Sequence, residues 1–179
     1  MRLFIAVDLP EVVKDRLAEL CAGLQGAKWV TRDQMHLTLR FLGEVATVQA
    51  EEAAEALAEI RAPAFELSLV GIGYFGTGRR IRALWAGIEP SPPLMVLQGK
   101  VEHAVRTAGL PLEGRKFLPH VTLARFKGRS PKLEEHLGLH EPFRAGPFPV
   151  ENFVLYSSHL GSEAAIHSVK ARYPLAVTA

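Results

Sequence analysis

Met35-His36-Leu37-Thr38-Leu39-Arg40-Phe41-Leu42 alternates apolar and polar side chains at the period of a strand, and Gly43 closes the run. Strict alternation places Leu37, Leu39 and Phe41 on one face and His36, Thr38 and Arg40 on the other. Pro119-His120-Val121-Thr122-Leu123-Ala124-Arg125-Phe126 repeats the pattern, with Val121 and Leu123 facing one way and His120, Thr122 and Ala124 the other. Each copy reads His, aliphatic, Thr, Leu. Two His-x-Thr pairs alone would arise in roughly one shuffled chain of this composition in thirty, and the flanking aliphatic residues make the coincidence much rarer.

The surroundings of the two strands are also alike. Leu3 to Val7 reads as a buried strand. Pro10 then opens a helix with Glu11 in its first turn, and apolar Val13, Leu17, Leu20 and Leu24 recur at helical spacing up to Gly23 and Gly26. After the first histidine strand, Thr47 to Arg61 is Ala- and Glu-rich, a helix with Thr47 as its cap, and Phe65 to Tyr74 alternates like a strand. The second half offers a strand over Arg82–Ile88 after a loop from Gly76 to Arg80, then a helix from Pro92 to about Thr107. The second histidine strand, a short helix near Lys132–Leu137, and strands over Val150–Ser157 and Ala165–Tyr173 follow. Strand, helix, histidine strand, helix, strand occurs twice. The expectation is an α+β fold of two related lobes with antiparallel sheets, and residues 1–179 form one domain because no linker or low-complexity tract separates the halves.

Composition fits a soluble globular protein: 179 residues, 48% apolar and 22% charged, with formal net charge +2. The single cysteine, Cys21, excludes an internal disulfide and a cysteine metal cluster. The N-terminal apolar run is too short for a signal peptide and no stretch is long enough to span a bilayer, so a cytoplasmic protein without a membrane partner is expected. Positive charge is local. Arg115, Lys116, Arg125, Lys127 and Arg129 flank His120, and Arg79, Arg80 and Arg82 sit in a Gly-rich stretch. His136 and His140 are four apart, but Gly138 lies between them and the nearby carboxylates form no ligand spacing, so no metal site is expected.

On a strand, residues i and i+2 share a face, so each motif presents an imidazole beside a hydroxyl. Two such strands facing one cleft would supply two imidazoles and two hydroxyls. Hydrolysis of a cyclic phosphodiester needs a base for water and an acid for the departing ribose oxygen. Histidine titrates near neutrality and can take either part. Thr38 and Thr122 can donate to the non-bridging phosphate oxygens, and an arginine can clamp them. Alternation favours Arg40 for that clamp. It puts Arg125 on the opposite face, from which a bulge or strong twist would re-aim it. Phe41 falls on the core face. Tyr74 and Phe75 are candidates to line the cleft or to pack at its rim.

The two motifs resemble those of the 2H phosphoesterases. Arg2-Leu3-Phe4-Ile5-Ala6-Val7-Asp8-Leu9-Pro10, Arg40-Phe41-Leu42-Gly43-Glu44 and Gly71-Ile72-Gly73-Tyr74-Phe75 extend the likeness over nearly the whole chain. Within that superfamily it looks like the RNA 2′,3′-cyclic phosphodiesterases, once called 2′-5′ RNA ligases. The resemblance implies a bilobal fold of pseudo-twofold symmetry, outer helices, and an active-site cleft between the lobes. It implies metal-independent hydrolysis of 2′,3′-cyclic phosphate ends, or of small cyclic nucleotides, to 2′-phosphomonoesters without a cofactor. His36 would be the proton donor, His120 the proton acceptor, and Arg125 a contact to RNA or phosphate. A monomer is expected. Two rival readings remain: a 2′-5′ ligase of tRNA halves, and a non-catalytic RNA- or nucleotide-binding module.

Overall fold

Leu3, Ile5 and Val7 of β1 (Arg2–Asp8) enter the hydrophobic core, while Phe4 and Ala6, equally buried, lie outside it on the opposite face. β1 therefore shows no alternation in its sequence, because both of its faces are covered. The computed structural model describes residues 1–140 and 142–177, without the side chains of residues 135 and 140. α1 (Glu11–Ala18) is shorter than its apolar spacing predicts. Its last turn tightens through Leu20 N–H to Leu17 O and Cys21 N–H to Ala18 O, and the chain leaves the helix with Leu20 still buried. β2 (Ala27–Trp29) and a single 3-10 turn (Arg32–Gln34) lead into β3 (His36–Glu44), which runs through Gly43.

α2 (Thr47–Ala58) is capped by Ala46, not Thr47, which is its first helical residue. β4 (Phe65–Thr77) and β5 (Arg80–Ile88) form one long hairpin, so the segment expected as a loop is mostly strand. Gly76, at φ +114°, makes this possible: a Cβ there would stand 2.3 Å from the Arg80 carbonyl oxygen. α3 (Pro92–Thr107) has the predicted bounds, with Pro92 in its first turn and Ser91 Oγ accepting from Leu94 N–H at 3.3 Å.

β6 (His120–Phe126), α4 (Glu134–His140), β7 (Arg144–Val150), β8 (Asn152–Leu160) and β9 (Ala165–Pro174) complete the chain. β7 was not anticipated, because Pro147 and Pro149 argue against a strand. It is tolerated at a sheet edge, where missing N–H groups cost nothing.

One sheet has the order β3-β1-β8-β9 and the other β2-β6-β5-β4-β7, with every pairing antiparallel. The fold is α+β, as expected. In both sheets a strand is followed, after a helix, by the antiparallel histidine strand that pairs with it: β1, α1 and then β3, with β2 and the 3-10 turn intervening, and β5, α3 and β6. One contiguous cluster of buried apolar side chains runs through both halves, and burying a side chain such as Leu37 or Leu123 stabilises the fold by about 1.5–3 kcal/mol. Among the described residues, no helix is long and apolar enough to cross a membrane.

Candidate active site

β3 and β6, one from each sheet, lie against one another. Both carry a β-bulge at the same place in the motif. On β3 the partners of Ile5 and Ala6 are Arg40 and Thr38, so Leu39 is the extra residue. On β6 the partners of Leu84 and Trp85 are Ala124 and Thr122, so Leu123 is extra. Each bulge reverses the alternation beyond it. Leu39 and Arg40 both turn inward, as do Leu123 and Ala124, while Phe41 and Arg125 join the histidine face.

The reversal corrects two expectations. Phe41 is not a core residue: it is 53% exposed and its ring lies 6.0 Å from that of Phe4. Arg40 is not on the histidine face. Its guanidinium is buried, pairs through Nε with Glu102 Oε2 at 2.6 Å, and donates to the carbonyls of Phe41 and Pro111. All its directed donors serve the protein interior. Arg125, by contrast, is exposed on the same face as His120 and Thr122.

His120 Nδ1 lies 2.7 Å from the carbonyl oxygen of Leu118, two residues back. A carbonyl can only accept, so Nδ1 carries the proton and Nε2 of the neutral ring keeps its lone pair. The backbone of Gln34, also two residues back, acts on His36 in the same sense, favouring its charged form. Aromatic walls hold the rings. His36 stacks on Phe4 at 4.8 Å, with Tyr156 at 6.2 Å, and meets His167 edge-on at 5.5 Å. His120 meets Phe75 edge-on at 4.9 Å and Trp85 at 6.2 Å. Gly73 makes room for that indole, since a Cβ would sit 2.3 Å from the Trp85 ring. Tyr74, the other candidate for the cleft, points to the opposite face of β4 from Phe75.

Burial pushes the His36 pKa down to about 4, with the charge of His167 adding, the Gln34 hydrogen bond opposing, and Lys14 and Arg125 lowering it further. Burial also lowers His120, against the Leu118 hydrogen bond, and Arg125 lowers it again. One guanidinium thus acts on both imidazoles. β3 and β6 pack against one another, so the Arg125 charge lies near both rings. Neither the Thr38 nor the Thr122 hydroxyl makes a hydrogen bond among the described residues. Both remain available to a ligand.

Comparison with known proteins follows the same division into halves. The profile of the LigT like Phosphoesterase family matches residues 7–85 and again residues 88–167, so each match contains one histidine motif. The chain belongs to the LigT-like phosphoesterase family. A protein of Thermotoga maritima named RNA 2′,3′-cyclic phosphodiesterase is 37% identical over 177 residues, which cover 94% of this chain and 92% of its own. One of the same name from Thermus thermophilus is 34% identical over 98% of this chain and 90% of its own. The crystal structure of E. coli LigT complexed with 3′-AMP superposes with a TM-score of 0.79 at 26% identity, covering 97% of both chains.

Four side chains of this candidate site escaped the sequence: Phe4, Trp85, Tyr156 and His167. Tyr156 and His167 reach His36 only because β1 pairs with β8, and β8 with β9. No motif surrounds either, and the pairing is their only signal. His136 lies buried in α4, the side chain of His140 is outside the described residues, and no cluster of three or more His, Cys, Asp or Glu suited to a metal occurs among the described residues.

Proposed function

We propose that this chain is an RNA 2′,3′-cyclic phosphodiesterase that converts cyclic phosphate ends to 2′-phosphomonoesters, acting as a monomeric, single-domain enzyme of the cytoplasm. The observation that carries the reading is the packing of β3 against β6, which brings the two His-x-Thr motifs together, one from each sheet.

In the proposed reaction Arg125, Thr38 and Thr122 bind the non-bridging oxygens of the cyclic phosphate, where negative charge grows as water adds. His120 Nε2 takes a proton from water, whose oxygen bonds to phosphorus in line with the P–O3′ bond. That bond breaks, and His36 gives a proton to O3′. Before substrate binds, burial keeps both rings neutral near pH 7. The charge of the bound phosphate favours the imidazolium form and brings His36 back toward the range where it can donate. Phe4, Phe75 and Trp85 exclude water from the ring faces and strengthen these electrostatic interactions. Two titrating groups, two hydroxyls and a guanidinium supply a full set for phosphoryl transfer to water without a metal.

The test is a cyclic-ended oligonucleotide incubated with the protein in EDTA and followed by phosphorus NMR. A 2′-phosphomonoester is expected. A 3′-phosphate, a requirement for divalent metal, or binding without turnover would overturn the reading. Cleaved tRNA halves as substrate separate hydrolysis from joining: a 2′-5′ linked product would make the chain a ligase.

A further inference from the structure

Arg79 and Arg80 at the β4–β5 turn, Arg82 on β5 and Arg129 beyond the end of β6 line a groove of about 690 Å³ with Ile81, Phe126 and Gly128. All four guanidinium side chains are on exposed residues, and none forms an ion pair or side-chain hydrogen bond among the described residues. Other arginines pair with carboxylates, among them Arg32 with Glu11 and Asp15, Arg40 with Glu102, and Arg144 with Glu89.

The groove is also built. Ser130, 2% exposed, joins its two walls: its backbone N–H donates to Arg79 O at 2.8 Å, and its Oγ accepts from Ile81 N–H at 3.1 Å. Four like charges are therefore held together by a buried serine, with no carboxylate facing them among the described residues. Such an arrangement focuses positive potential on a concave surface and attracts a polyanion.

The groove lies at the end of β6, one residue beyond Arg125, where Phe126 turns to the core face. Arg125, whose charge reaches both imidazoles, precedes Phe126 on β6, and the strand from His120 to Phe126 covers about 20 Å. A single strand entering the site by its cyclic end would meet these arginines several nucleotides upstream.

We propose that this groove binds the phosphodiester backbone of the RNA on the 5′ side of the cyclic end, so that the protein prefers oligonucleotides to cyclic mononucleotides. The inference rests on the phosphodiesterase reading above. Backbone contacts carry no base information, so the preference is for length and charge, not sequence.

The experiment compares 2′,3′-cyclic AMP with a cyclic-ended octanucleotide across a series of salt concentrations, using the wild type, Arg79→Gln/Arg80→Gln and Arg129→Gln. All three are expected to hydrolyse the mononucleotide within twofold of one another. For the octanucleotide the double variant should raise KM at least roughly tenfold and flatten the salt dependence, each lost phosphate contact removing about 0.7 from the log–log slope for a single strand. Equal wild-type KM for the two substrates, or variants that change both substrates alike, would overturn the groove proposal while leaving the phosphodiesterase standing.

If the wild type turns over neither substrate, the function fails instead. The groove is then judged by anisotropy of a labelled 3′-hydroxyl octanucleotide, which the double variant should bind at least tenfold more weakly. Poly-glutamate binding as tightly as the oligonucleotide would assign the surface to an acidic protein and also overturn the proposal.

Discussion

Replacing Arg40 by Met should unfold the protein more easily and leave its catalysis almost intact. The Arg40–Glu102 pair is enclosed, with side chains 6% and 16% exposed. Arg40 also donates to two carbonyls, one of them Pro111 in the segment leading to β6. Glu102 Oε1 in turn accepts from Glu113 N–H at 3.2 Å. The pair thus ties the strand bearing His36 to α3 and to the approach to His120. Methionine fills much of the volume but leaves the Glu102 carboxylate buried beside nothing positive. Breaking such a pair from one side costs about 3–5 kcal/mol. At roughly 2–4 °C per kcal/mol for a chain of this size, the melting temperature should fall by about 6–20 °C. Urea unfolding followed by circular dichroism reads the loss directly. Arg40→Met/Glu102→Met should recover most of it, because both charges are then gone. KM for a cyclic nucleotide should stay within a few-fold of wild type in the single variant. Unchanged stability with a large rise in KM would refute this reasoning and return Arg40 to the phosphate.

Three further outcomes follow from the site. Because His36 titrates at about 4 in the folded protein against 6.5 when unfolded, the unfolded chain binds more protons between those values; stability should fall by up to about 3 kcal/mol as pH drops from 6.5 to 4, and His36→Asn should show a flatter pH dependence in urea titrations. Both imidazole pKa values are lowered by burial and the imidazolium forms are favoured by bound phosphate, so kcat/KM should peak on the acid side of kcat, and a kcat/KM optimum above pH 8 would contradict the electrostatics. Gly73→Ala should push Trp85 off its place beside His120, costing about 1–3 kcal/mol and lowering kcat, with a changed tryptophan emission spectrum as the structural readout.

The parts of the molecule legible in the sequence are those where local chemistry and tertiary packing agree. α3 begins at Pro92 behind a serine cap and keeps its apolar spacing to Thr107, so its bounds could be read in advance. The imidazole–hydroxyl face of each motif was legible for the same reason, since His and Thr lie before the bulge. Beyond it the pattern misleads. Nothing in Leu39-Arg40-Phe41 or Leu123-Ala124-Arg125 marks the extra residue, because a bulge is set by how the neighbouring strand is paired. Arg40 looks like an exposed charge until Glu102, 62 residues away, is placed against it. β7 was hidden by prolines that only an edge position excuses, and His167 by its dependence on two successive strand pairings.

The central claim is that His36 and His120 divide one proton-transfer task at a single phosphorus atom. Its most direct test is the turnover of 2′,3′-cyclic AMP by His36→Ala and His120→Ala in the presence of EDTA, with folding of each variant checked by its urea midpoint. Each substitution should lower kcat by roughly 10²- to 10⁴-fold while the wild type is indifferent to the chelator. A folded variant of either kind that keeps near-wild-type turnover, or a wild type silenced by EDTA, would contradict the account.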